Sequence, residues 1–420
     1  MMEFSLIDLP CRAKVDAVTV GTQNSVPIAQ WEEIKMRIAT LAAAMCLATS
    51  TAFAADFTLP KQVAWTAYGT GSAGYNQAVA IGAALQEAAG VNLRILPGQN
   101  DIARMEPLRQ GKVEFSANGI GVYLAQEGVL AFGGKTWGPQ KIRLLASNIG
   151  GGFAMSLGVA REACETAGKP DCKGFTYADL KGLRVAWIKG APALNTNSTA
   201  WLAYGGLTWD DVEKVEFGGF AASWKGLVEG SVDAAFAVTN AGNCYEAASS
   251  PRGLVWPQFD PDDEAAFKRL LAVAPYYVKV HATTGANIDG TDGREMAGYA
   301  YPILINYETS DADLAYNMTK AIFELLPLYE GKVPGIDGWA LKYQKLDWVI
   351  PYHEGAIRYF KEAGVWTDAA QAHNDRLVAR QETLAKAWAE LEAEAPEDWN
   401  QAWAAKRREA LKAGGFEVAF

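Results

Sequence analysis

Histidine is scarce in this chain and basic charge is in deficit. Only three histidines, His281, His353 and His373, occur in 420 residues. None lies in a glycine-rich loop, and neither His-Glu-x-x-His nor Gly-x-Ser-x-Gly occurs. Zinc-protease and serine-hydrolase chemistry therefore have no motif to build on. Lys and Arg number 38 against 48 Asp and Glu, a net charge of -10. A nucleic-acid partner needs a basic face to neutralise phosphates, so none is expected. Half the residues are hydrophobic and 20% are charged, the composition of a folded chain with room for two ordinary domains.

Long apolar runs are missing too. "IATLAAAMCLATS", after Lys35-Met36-Arg37, is too short to cross a bilayer as a helix. It ends at Ala52-Phe53-Ala54, the small-x-small pattern of signal cleavage. A signal peptide cut near Ala54/Ala55 is expected, with a periplasmic mature protein, and Met36 reads as the initiator. A buried Ala-rich helix is the bland alternative. Cys46 follows Met45, where a lipid-anchor site wants a small residue, so no anchor is expected.

Export changes how the few cysteines are read. Past residue 54 only Cys164, Cys172 and Cys244 remain. "CETAGKPDC" can turn on itself, so Cys164 and Cys172 are expected to pair in an oxidising compartment. A bridge there would stabilise by roughly 2 to 3 kcal/mol. The alternative is two reduced thiols. No further ligand stands nearby, so no metal site is expected.

What is present is an α/β rhythm. "KQVAWTAYG", "VNLRILPG" and "KVEFSANG" read as strands. Helices are read between them, with Asn100 or Asp101 capping the second. The rhythm recurs with a strand from Leu183 to Ile188 and a helix from about Ser198. "GGFAMSLGVA" and "AYPILINYE" read as extended crossovers between the two units, which makes a hinged clamshell. The expected divisions are 1–54 leader, 55–150 and 301–365 for lobe 1, 151–300 for lobe 2, and 366–420 for a C-terminal helical extension. In that extension Leu377, Leu384, Trp388 and Leu391 fall at helical spacing, and Pro396 is expected at a helix start.

"AYGTGSAGYNQ" places Gly69, Gly71 and Gly74 at the spacing of a dinucleotide-binding turn. The acidic residue that would hold the ribose is absent from "NLRILPG", so no nicotinamide cofactor is expected. "GVLAFGGKT" is out of register for a phosphate loop. The remaining physical content is a strand, a turn of exposed N–H groups, and a helix N-terminus that favours an anion. Gly190-Ala191-Pro192, followed by Asn195, Thr196, Asn197 and Ser198, looks like its counterpart. Those four polar residues could equally cap their own helix.

Four stretches resemble the TAXI family of solute-binding proteins, the extracytoplasmic subunits of tripartite ATP-independent periplasmic (TRAP) transporters. They are "YGTGSAGYNQAVAIGAALQE", "LPGQNDIARMEPLRQGKVEFSANG", "DLKGLRVAWIKGAPALNTNSTAWLAYGGLTWDDVEKVEFG" and "PYHEGAIRYFKEAGVW". In the last, Glu354 stands where the family has Pro. The resemblance spans roughly residues 60–366. It implies an α/β, two-lobed periplasmic binding protein type II fold with no enzymatic activity and no cofactor. The expected partners are a small anionic solute of the glutamate, 2-oxoglutarate and dicarboxylate class and a TRAP permease. "GAPALNTNS" is poorer in Gly and Ser than the family's second-lobe loop. On this reading Gly69, Thr70, Gly71, Ser72 and Asn76 hold one end of the solute, and Gln99, Asn100 and Asn118 line the first lobe. Asn195 to Ser198 and Asn240 close from the second lobe, with Trp187 and Tyr245 as walls. No single arginine is marked out for a carboxylate. The rivals are a sensor subunit and an enzyme using Cys244.

Overall fold

The computed structural model describes residues 56–418 and Phe420. The expected leader, Met36, Cys46 and the Ala54/Ala55 cleavage site lie outside the described residues. Among the described residues, no helix is long and apolar enough to cross a membrane.

Two sheets form the core. The first takes β1 (Gln62–Tyr68), β2 (Asn92–Gly98), β3 (Phe115–Asn118), β4 (Ile142–Ser147) and β11 (Ile303–Tyr307) in the order β2-β1-β3-β11-β4. β1 runs parallel to β2 and β3, while β11 is antiparallel to both its neighbours. The second sheet takes β5 (Met155–Val159), β6 (Arg184–Ile188), β7 (Glu213–Phe217) and β8 (Ala234–Val238) in the order β5-β8-β6-β7. A separate antiparallel ribbon joins β9 (Val278–Ala282) to β10 (Arg294–Gly298). The chain passes from the first sheet to the second after β4 and returns before β11. This is the two-lobed type II clamshell with two crossovers. Each of the two segments expected as crossovers contains a five-residue strand. β5 is buried along its whole length and β11 along all but Tyr307, so each completes a sheet and leaves a shorter hinge.

Parallel strands require helical connections. In the first lobe these are α1 (Ala73–Ala89), α2 (Asp101–Arg109) and α3 (Gly121–Glu127). In the second they are α4 (Pro192–Tyr204) and α5 (Phe220–Glu229), while α6 (Gly242–Ser249) and α7 (Glu264–Val273) lead from β8 to the ribbon. Local chemistry sets the ends. Ser72 accepts from Tyr75 N at 3.3 Å to start α1, and Gly90 ends it at φ 63°. Cys164 and Cys172 form a disulfide in the second lobe, and Cys244 is free and buried.

After β11 come α8 (Ala312–Glu324), α9 (Glu354–Glu362), α10 (Asp368–Glu394) and α11 (Trp399–Ala413). The last two form the C-terminal extension and pack through Leu384, Trp388, Leu391, Trp403 and Leu411. α11 begins beyond Pro396, because the Asp398 side chain caps it by accepting from Gln401 N at 3.0 Å. The extension docks on the first lobe. Trp403 Nε1 donates to Gly128 O at 2.6 Å and Trp399 Nε1 to Gly133 O at 3.2 Å.

Candidate functional site

The C-terminal ends of parallel strands carry the loops that bind ligands in open α/β sheets. Here those loops meet across the cleft. Asn100 Nδ2 donates to Lys189 O at 3.1 Å, and Phe220 N donates to Gln99 O at 3.1 Å. Ile102 N donates to Gly190 O at 3.3 Å. The lobes are therefore closed on each other.

Between them lies a chamber of about 30 Å³ lined by Tyr68, Arg104, Ile120 and Tyr301 from the first lobe side, and by Phe220 and Tyr299 opposite. Arg104 comes from α2, whose buried face is Asp101, Arg104, Met105 and Leu108, the i, i+3, i+4, i+7 stripe of a helix. Arg104 is 1% exposed. Its guanidinium lies 3.4 Å over the Tyr68 ring. Nη2 donates to Asp101 Oδ1 at 2.7 Å and Nη1 to Ala117 O at 3.2 Å, while Nε has no partner. Burial works against its charge, but Tyr68 and Asp101 beside it hold its pKa above the ordinary value. Burial also raises the Tyr68 phenol well above its usual range and pushes Tyr301 up to about 12. The phenols are thus neutral and Arg104 is charged.

Asp101 is 0% exposed. Its Oδ1 also accepts from Tyr68 Oη at 2.6 Å, and its Oδ2 accepts from Ala193 N at 2.7 Å. Ala193 is in the first turn of α4, in the other lobe. Pro192, at the start of α4, has no N–H to offer. The second-lobe helix N-terminus expected to hold the solute's carboxylate is thus already bonded to a carboxylate of the protein.

The residues singled out from sequence separate into groups. Gly69, Gly71 and Ser72 form the turn into α1, with Thr70 exposed and Asn76 on the first turns. Gly71 has φ 88°, and a Cβ there would meet Asn243 Oδ1 at 3.1 Å. The glycine turn therefore lies against the start of α6. Asn240 is near it in the second lobe: its Nδ2 donates to Pro334 O at 2.8 Å and its Oδ1 is buried without a partner. Gln99 and Asn100 make the cross-lobe bonds given above. Asn118 is internal, donating to Ser116 Oγ at 3.1 Å and accepting from Gly119 N at 2.9 Å. Tyr245 is exposed.

The helix expected from about Ser198 begins at Pro192 instead, because proline suits a first helical position. Asn195, Thr196, Asn197 and Ser198 therefore sit inside α4. Asn195 bonds Ile188 N and Ile188 O, both at 2.9 Å. Asn197 donates to Tyr299 Oη at 2.7 Å and accepts from Tyr276 Oη at 3.0 Å, so it is not a cap. Ser198 is buried. Trp187, Asn195 and Thr196 line a separate groove of about 1050 Å³, whose far wall includes Leu377, Phe416 and Phe420. The groove is far larger than the chamber. It lies on the flank between α4 and the C-terminal extension, however; its Arg380 is paired with Glu127 at 2.7 Å and its Arg376 donates to Gly415 O at 2.8 Å. The chamber is where the strand ends of both lobes converge and where the wall includes Arg104, whose Nε is buried without a partner. Cys244 is buried, with its thiol donating to Val238 O at 3.4 Å and pushed well up by burial.

Arg104 is the residue that sequence reading missed. The available signal was a charged pair, Asp101 and Arg104, on the apolar stripe of α2.

Residues 67–364 match the profile of the NMT1-like family. No curated protein matches the chain. Among solved structures, it is similar to a protein from Bordetella bronchiseptica RB50, at 15% identity over 76% of this chain and 98% of that one, TM-score 0.40. It is also similar to an ancestral arginine-binding protein bound to arginine, at 12% identity over 69% and 100%, TM-score 0.40. A third is the alkanesulfonate-binding protein SsuA from Xanthomonas axonopodis pv. citri bound to MOPS, at 15% identity over 76% and 95%, TM-score 0.35.

Proposed function

The chain belongs to the NMT1-like family, and on that footing we propose that it is a periplasmic solute-binding protein for a small organic carboxylate. It works without catalysis and without a cofactor. The observation that carries this reading is Arg104, buried and charged, with its Nε unpartnered at a chamber walled by both lobes. A buried cation with a free donor favours an anion, and a carboxylate matches the guanidinium fork. The resemblance to TAXI proteins adds the delivery step, release of the solute to a TRAP permease, and a signal peptide removed near Ala54/Ala55. The lobe divisions at 150, 300 and 365 belong to the same proposal.

The closed chamber, about 30 Å³, is smaller than the roughly 300 to 1,000 Å³ of small-molecule sites. The solute enters with the lobes apart, and its contacts to both favour renewed closure. A thermal-shift screen of organic acids, amino acids, sugars and NAD tests the reading. A solute that binds only the folded state raises stability by about 2.7 kcal/mol at a hundred times its Kd. The melting temperature should rise with a carboxylate and not with NAD. A rise with sugars or NAD alone would refute the assignment.

A further inference from the structure

We propose that Asp101 sets the charge of the solute: the chamber takes one carboxylate and rejects a second. The inference rests on the carboxylate reading of the chamber and narrows it. Arg104 is the cation lining the chamber, and Asp101 already holds its Nη2 at 2.7 Å. Asp101 also holds Ala193 N, in the first turn of α4, at 2.7 Å. Its carboxylate thus faces both features that attract anions, while Arg104 Nε remains free. One solute carboxylate can take that donor. A second within the same walls would meet apolar neighbours such as Ile120, Leu194 and Phe220, with the Asp101 carboxylate directly behind Tyr68, Arg104 and Ala193 of that wall. Like charges in a closed cleft and an unpaired buried carboxylate both cost binding. The three phenols at the chamber, Tyr68, Tyr299 and Tyr301, have pKa values raised by burial, so they add no negative charge.

The test uses the full chain and calorimetric titration with matched probes. These are malonate, succinate and glutarate, each against its monomethyl ester, and L-glutamate against its side-chain methyl ester. Each pair differs in one negative charge. We expect the half-ester that fits best to bind at least about tenfold more tightly than its diacid. In Asp101→Asn, which keeps an oxygen for Ala193 N–H, the preference should shrink or reverse through a gain for the diacid. The wild-type comparison needs no variant, so it stands even if Asp101→Asn folds poorly. If the diacids bind wild type as tightly as their half-esters, the inference falls while the carboxylate reading survives. If the wild-type protein takes none of these acids the inference falls, and the carboxylate reading falls with it when the wider screen yields no other acid.

Discussion

His353 is 1% exposed, and its Nδ1 accepts from Gly355 N at 3.1 Å to cap α9. Its Nε2 is buried with no partner. Burial lowers its pKa, against the raising influence of Glu354, Ser310 and Asp311 and with the lowering influence of Arg143. The unfolded chain therefore takes up this proton more readily than the folded one, so stability rises with pH across the interval between the two pKa values. Its contribution is complete above about pH 6.5 and is lost as the pH falls below that value. Urea unfolding of His353→Asn, which retains a capping side chain, should show a shallower loss between neutral and acid pH than wild type. At this scale the sequence is a partial guide. The glycine turn was legible because Gly69, Gly71 and Gly74 are local. Arg104 was not, since its partners Tyr68 and Ala117 come from other elements. Asn197 suggested a solute contact, yet two distant tyrosines hold it.

At the scale of elements, one buried carboxylate ties both helices of the C-terminal extension to the first lobe. Glu127, at the end of α3, is 0% exposed and pairs with Arg380 of α10 through Nε and Nη2, both at 2.7 Å. Arg407 of α11 pairs with the same carboxylate, and its Nε donates to Glu127 O at 3.1 Å. Glu127→Ala would leave two buried guanidinium groups without their partner, a loss of about 3 to 5 kcal/mol. Denaturant unfolding should show that loss, with tryptophan fluorescence reporting the release of Trp388, Trp399 and Trp403. Gly138 adds a steric lock. At φ 73°, a Cβ there would stand 2.6 Å from the Trp388 ring. The first tail helix was legible from the spacing of Leu377, Leu384, Trp388 and Leu391, and the second from Pro396 beside its start. Their docking was not, because Glu127 and Arg380 are 253 residues apart and no local pattern links them. The start of α4 was misread because Asn195 to Ser198 favour loops and caps by type, while Pro192 set the actual beginning.

At the scale of the whole molecule, the repeated strand–helix alternation carried the two-lobed fold, because parallel strands oblige helical crossovers. Closure had no such signal. It depends on loops from different lobes meeting, as Gln99 meets Phe220 and Asp101 meets Ala193. That closure makes the chamber, and the central claim is that Arg104 holds the solute's carboxylate inside it. The direct measurement is calorimetric titration of the acid giving the largest thermal shift into Asp101→Asn and into Asp101→Asn/Arg104→Met. Asp101→Asn leaves Arg104 as the cation a solute can neutralise, and the double variant removes that cation without leaving Asp101 buried and unpaired, so comparing these two isolates Arg104. Loss of the charged hydrogen bond should weaken binding roughly ten- to a hundredfold. Equal affinity in two folded variants would contradict the claim and move the site out of the chamber.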